Sequence, residues 1–307
     1  MNMFIKKAGN KMPPAVKSVI DTHVHVVTLN LPGVALKKAP DGTSFQSSPE
    51  QLAKVIQAEL QEANIEHALC MPSPSADEND PLGVEGTRRL AALVPGLHPV
   101  GFANPERVDE RHIDKVEESL RHGDVVALKA YLGYIHHYPN SPGYHPYYRL
   151  AAKYKIPVVF HSGDTYSHLA KLKFAHPFNV DEVAVDFPET NFVIAHLGNP
   201  WLVDTAEVVY KNNKPGIREN VWADLSGLMV GSAADYENYR QEGYFEVLGE
   251  KVREVIDFTD RPDRFLYGSD WPLSPMKIYR DFIGELIPES FHQAIFHDNA
   301  KSLFKLK

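Results

Sequence analysis

Short apolar runs rich in β-branched and aromatic residues alternate along this chain with longer stretches whose apolar positions recur at helical spacing. The short runs predict strands at 18–26, 66–71, 98–103, 124–131, 157–161, 191–196, 220–225 and 264–270. A first helix is predicted to start at Pro49, with Ser48 as its N-cap. Further helices are expected over about 82–94, 110–121, 146–154 and 180–186, from near Trp201, up to near Phe258, and over 278–286 and 291–304. The connection 28–49 is polar, rich in Gly, Pro and Ser, and too long for an ordinary strand-to-helix turn. The loop 132–145 is aromatic and His-rich. Strands that alternate with helices throughout imply a parallel sheet. No linker interrupts the pattern, so residues 18–307 are expected to form one domain behind an extension at 1–17.

Composition narrows the partners. Of the 307 residues, 43% are hydrophobic and 23% charged, enough for a large core and against disorder. The formal net charge of −8 offers no electrostatic reason to bind nucleic acid. The single cysteine, Cys70, excludes an intramolecular disulfide, suits a reducing cytoplasm, and reads as a buried strand thiol. Residues 1–17 carry lysines without a long apolar core, so no secretory signal is expected, and no apolar run approaches a membrane span. The expected partner is a small-molecule substrate in the cytoplasm, with no nucleic acid and no membrane; self-association into a homo-oligomer is left open.

Candidate chemistry lies at the ends of the predicted strands. Four motifs stand where an apolar run gives way to Gly, Pro or polar residues: Asp21-Thr22-His23-Val24-His25, Phe160-His161-Ser162-Gly163-Asp164, Ala195-His196-Leu197-Gly198 and Gly268-Ser269-Asp270-Trp271-Pro272. His25, His161, His196 and Asp270 are separated by 136, 35 and 74 residues. These are four, one and two units of about 34 to 37 residues, which places the motifs on strands 1, 5, 6 and 8 of an eightfold repeat. A (β/α)₈ TIM barrel with insertions in its βα loops fits this phasing, and its active site would lie at the C-terminal ends of the strands.

Strand side chains alternate faces, so His23 and His25 point together toward the barrel axis while Val24 faces the helices. Taken alone, a strand-end histidine is more often a hydrogen-bonded structural residue, and Asp270 could be a helix N-cap. The joint, phased occurrence points instead to metal ligands: His23, His25, His161 and Asp270. Three imidazoles and a carboxylate with an open position describe a catalytic zinc site, with manganese or iron as alternatives. Such a metal lowers the pKa of water toward about 7, and a carboxylate touching metal and water can take its proton.

With these motifs the chain resembles the amidohydrolase superfamily, in its amidohydrolase-related branch, from Ile20 to Leu303. The resemblance implies a distorted barrel with one or two divalent metals, His23, His25, His161 and Asp270 as ligands, and Asp270 as general base. It implies that His196 either ligates a second metal or hydrogen-bonds the water and substrate. Lys129 ends strand 4 in Val126-Ala127-Leu128-Lys129-Ala130-Tyr131, where some members of the superfamily carry a carbamylated lysine. As an ammonium it would instead bind a substrate carboxylate, the role favoured here because the ligand set satisfies one metal without it. Ala127, Lys129 and Tyr131 should share a face, and Tyr131 could line the pocket. Asp21 is expected to support the site as an outer partner of a histidine, and Asp164 to cap a helix.

The expected function is metal-dependent hydrolysis of a small molecule at an amide, lactone or related C–N or C–O bond. The alternative is non-oxidative decarboxylation of an aromatic or unsaturated acid, a lyase chemistry also found in that branch. The least favoured is a barrel that only binds a ligand.

Overall fold

The computed structural model describes residues 16–34 and 36–307. The expected extension at 1–17 therefore falls, apart from Val16 and Lys17, outside the described residues. Eight parallel strand positions appear in the expected order. Strand β1 spans Val19–Val24, β2 Ile65–Cys70, and the third position is divided into β3, Leu97–Pro99, and β4, Gly101–Phe102. Then come β5, Leu128–Ala130, β6, Val158–Phe160, and β7, Phe192–Ile194. A small antiparallel pair, β8 (Asn213–Lys214) and β9 (Arg218–Glu219), which the pattern did not announce, precedes β10, Val221–Asp224, and β11, Phe265–Leu266.

The ladder is in two pieces, β1-β2-β3 and β4-β5-β6-β7-β10-β11, rather than one closed cylinder. Pro99 lies at the first seam, where it has no N–H to give to a ladder. At the second seam the chain beyond β11 is stitched to β1 by backbone bonds. Thr22 N–H donates to Tyr267 O at 2.9 Å, Asp270 N–H to His23 O at 2.8 Å and His25 N–H to Trp271 O at 2.7 Å.

Helices lie between the strands. Helix α1 spans Pro49–Glu62 and starts on the expected N-cap, Ser48, which the structure completes into a capping box with Gln51. Helix α2 is shorter than the pattern suggests, Glu85–Ala91 instead of 82–94, because the Asp80 carboxylate takes the N–H groups of Val84 and Glu85 and sets the start there. Helices α3 (Glu110–His122), α4 (His145–Tyr154), α5 (Phe178–Asp186), α6 (Leu202–Lys211), α7 (Ala233–Gln241), α8 (Tyr244–Thr259), α9 (Met276–Leu286) and α10 (Asn299–Phe304) follow. No helix among the described residues is long and apolar enough to cross a membrane.

Two apolar layers result. Outward-facing strand residues such as Val24, Leu128, Phe160 and Ile194 pack against the helices. Inward-facing ones, including Ile20, Leu69, Ala127, Val159, Val193 and Trp222, fill the barrel interior, which Leu303, Phe304 and Leu306 plug from below. Burial of this kind is the main stabilising force of the domain. It also leaves the upper ends of the strands as the place where polar side chains converge.

Candidate metal centre

An unbroken alternation along β1 would put residues 20, 22 and 24 on one face, yet Ile20 faces the interior and Val24 the helices. The register between β1 and β2 slips between Asp21 and Val24, and this irregularity reverses the phase. His23 and His25 are thereby turned into the cavity above the barrel. Asp21 holds the distortion: its Oδ1 accepts the N–H of His23 at 3.0 Å and of Ser269 at 2.9 Å. Asp21 thus supports the site through backbone, not through an imidazole. Burial raises its carboxyl to a pKa of about 7.

The other residues arrive by regular alternation or by a turn of the backbone. Ala127 packs in the interior and Lys129 and Tyr131 follow it onto the cavity side, as expected. His161 follows Val159 in the same way. His196 departs from strand geometry: it and Leu197 take positive φ values of 59° and 50° just beyond β7. Asp270 likewise has φ 58°, beyond the short β11. Non-glycine residues in this region carry strain that surrounding structure must hold in place. Gly227, itself at φ 59°, leaves the necessary clearance, since a Cβ there would lie 2.8 Å from Asp270 Oδ2 and 3.0 Å from His196 Nδ1.

His23, His25, Lys129, Tyr131, His161, His196 and Asp270 all line one cavity of about 670 Å³. Donor atoms of His23, His25 and Asp270 lie within 4.8 Å of one another. His25 Nε2 is 3.2 Å and His23 Nε2 3.8 Å from Asp270 Oδ1. His161 is not part of this tight trio. Its Nε2–H donates to the Asp164 carbonyl at 3.0 Å, and its ring centroid lies 4.9 Å from that of His196. Asp164 caps no helix; its carboxylate accepts the N–H of Thr165.

Asp224, at the end of β10, is the residue the motif reading missed. Its Oδ2 accepts from His23 Nδ1 at 3.1 Å, leaving His23 Nε2 toward Asp270. Its Oδ1 takes the backbone N–H of His196 at 2.9 Å and of Ser226 at 3.0 Å. Ser226 Oγ, which also bonds Asp224, stands 2.9 Å from His196 Nδ1. Carboxylates that orient and fix the tautomer of a ligating histidine are a usual part of metal sites. His23, His196 and Asp224 form a second convergent group within 4.8 Å. The available signal was alternation: Asp224 follows the inward Trp222 by two residues.

Electrostatics favours the ligand-competent forms. Burial lowers the pKa of His23, His25 and His161, and that of His196 to about 4, so the imidazoles are neutral at pH 7. Burial alone would raise Asp224 and Asp270, but the surrounding histidines hold both carboxyls below the usual range. Lys129 is lowered to about 8 by burial, against the pull of Asp224 and Asp270. Its Nζ is 3.3 Å from His23 Nε2. Neutral imidazoles and an ionised carboxylate, brought together out of water, fit a divalent cation.

A family model described as amidohydrolase matches residues 20–306. No curated protein matches the chain in sequence. Among solved structures, a probable 2-pyrone-4,6-dicarboxylic acid hydrolase from Acinetobacter baumannii is similar at 14% identity and TM-score 0.61, over 94% of this chain and 100% of that one. The 5-carboxyvanillate decarboxylase from Sphingomonas paucimobilis is similar at 14% identity and TM-score 0.63, over 94% and 99%. The 5-carboxyvanillate decarboxylase from Novosphingobium aromaticivorans, complexed with manganese, is similar at 12% identity and TM-score 0.59, over 94% and 96%. At these identities the likeness concerns the fold, a TIM barrel.

Proposed function

From the premise that this chain belongs to the amidohydrolase family and is a metal-dependent enzyme of that family, we propose that it hydrolyses a small molecule at an amide, lactone or related C–N or C–O bond. Residues 18–307 act as one catalytic unit, in a cytoplasmic protein as the lone buried thiol of Cys70 suggests. His23, His25 and Asp270 would hold one divalent cation, with His161 as the fourth ligand through Nδ1, since its Nε2–H is given to the Asp164 carbonyl; zinc suits three imidazoles and a carboxylate, and manganese or iron would also be accepted. When bound, the cation supplies Lewis acidity and makes a water acidic enough to ionise near neutral pH.

One observation carries the reading: the two oxygens of Asp270 serve different neighbours. Oδ1 faces His25 Nε2 at 3.2 Å, while Oδ2 is turned toward His196 Nδ1 at 4.0 Å. On this reading one oxygen belongs to the donor cluster and the other would take a proton from the attacking water and return it to the leaving group. His196, held by Ser226, orients water and substrate from the same side. Lys129, as an ammonium, would bind a carboxylate of the substrate.

Lys129 also supports a second reading, since a buried lysine beside the donor cluster could hold the carboxylate of a substrate that loses carbon dioxide. The similar solved structures include a protein named as a hydrolase and others named as decarboxylases. The experiment is turnover of lactones, amides and aromatic carboxylates by metal-loaded protein in ¹⁸O-labelled water. One ¹⁸O atom in the product without carbon dioxide supports hydrolysis. Carbon dioxide release, with hydrogen replacing the carboxylate, overturns it in favour of the lyase.

A further inference from the structure

The outer surface of the barrel is not uniformly polar. Helix α8 turns Phe245, Val252, Val255 and Ile256 to the core. Yet Tyr244, Val247 and Phe258 on its other side are each 53% exposed, more large apolar side chains than any other helix exposes among the described residues. With the exposed Lys251 and Glu254 they recur at alternating intervals of three and four residues. Such spacing sets the five side chains in one stripe along the helix, roughly 20 Å long. Lys251 and Glu254, in the middle of the stripe, form no ion pair within 4.0 Å among the described residues. Helix α6 packs alongside and widens the apolar face. Its Tyr210 ring lies 5.4 Å from that of Phe258, and its Val203 is 70% exposed. Next to Tyr210, whose ring Lys214 Nζ approaches at 3.1 Å, stands Ile217, 85% exposed. None of these residues lines the cavity above the strands.

We propose that this face joins two copies of the chain about a twofold axis that crosses α8 near Lys251, with the two α8 helices antiparallel. Lys251 is the midpoint of the stripe. Antiparallel pairing about it sets Tyr244 beside the partner's Phe258 at both ends, and Lys251 beside the partner's Glu254 twice over. The stripe therefore carries its own complement, which an isologous contact requires. Its size agrees: the partly exposed rings of Tyr210, Tyr244 and Phe258, with Val203, Val247 and Ile217, present on the order of 600 Å². That is at the upper end of what a soluble monomer leaves uncovered. It also matches the apolar share of the roughly 800 Å² that each partner of a standard interface buries. A membrane surface fits less well, because the exposed Glu246, Glu250 and Asp257 flank the stripe and anionic lipid would repel them. In the dimer these three stay at the rim, where salt screens them.

The test is sedimentation velocity of the zinc-loaded full chain at micromolar concentration, which reads mass without turnover. The unsubstituted protein is expected to run at twice the mass of the chain. Lys251→Glu and Glu254→Lys each bring like charges together in both symmetry-related contacts, and each should weaken the dimer at least about tenfold. An equimolar mixture of the two variants should recover the dimer, because opposite charges then meet in both contacts. A different protein as partner would not produce that recovery. Unsubstituted protein that stays monomeric overturns the proposal and needs no variant to fold. A dimer that neither charge variant weakens overturns it too, as does a mixture that stays monomeric. Should a charge variant fail to fold, Lys251→Cys replaces it. Beside the axis it should cross-link to its own copy on mild oxidation, while the native Cys70 is buried. Absence of the cross-linked species overturns the pairing.

Discussion

The two ends of the barrel carry cavities of similar size, about 670 Å³ above and 590 Å³ below, and treat charge in opposite ways. Below, the two arginines are paired with carboxylates near the surface. Arg261 bonds Glu219 at 2.6 Å and Asp263 at 2.8 Å; Arg264 pairs with Asp263 at 3.1 Å and lies 4.5 Å over the Trp222 ring. Above, His23, His25, His161, Lys129, Asp224 and Asp270 are buried beside the half-buried His196, and His25 Nδ1 has no hydrogen-bond partner among the described residues. The lower end spends its charges on stability, whereas the upper end keeps charge and lone pairs available. Volume does not separate the two cavities; the burial of their charged groups does.

That contrast can be broken by substitution, and the largest effect is expected from the convergent donors. His23→Ala/His25→Ala should reduce bound metal to near zero by elemental analysis and turnover to background. Metal content equal to the unsubstituted protein would sink the assignment. Next comes Asp270→Asn, which is nearly isosteric. It should lower kcat by at least about 10², the lower end of acid–base contributions, in protein that retains metal. Full turnover at full metal loading would remove Asp270 as the base.

Asp224→Asn tests whether the upper end depends on its outer partners. Loss of the charge that orients His23 should weaken metal affinity by about 10- to 100-fold, measured by chelator competition. An unchanged affinity would mean that His23 is held by its strand alone. The smallest effect belongs below. Asp263→Asn cuts partly exposed ion pairs and should cost about 0–1 kcal/mol in denaturant unfolding, leaving metal content and kcat/KM unchanged. Loss of metal in this variant would erase the distinction between the ends.

Much of this architecture was legible in residue order. Strand and helix alternation, the N-cap at Ser48, and the placement of Lys129 and His161 all follow from local periodicity and local hydrogen bonding. Lengths were less legible. The eighth strand, expected over 264–270, is regular only at Phe265–Leu266, because the chain then leaves the ladder to meet β1. The third divides near Pro99. Asp224 escaped notice because a single aspartate after Trp222-Ala223 has no repeated motif around it.

By itself the sequence determined which side chains could carry the chemistry and that they recur in phase with an eightfold repeat, because periodicity is a local property that each segment expresses alone. It also pointed to the family. Only the tertiary structure decided how they meet. The slip between Asp21 and Val24, the left-handed backbone at His196 and Asp270, and the clasp of Asp224 on His23 all depend on residues about 30 to 250 positions apart. Such conformations are unfavourable for an isolated segment and persist because the neighbouring strands, once packed, leave no better arrangement.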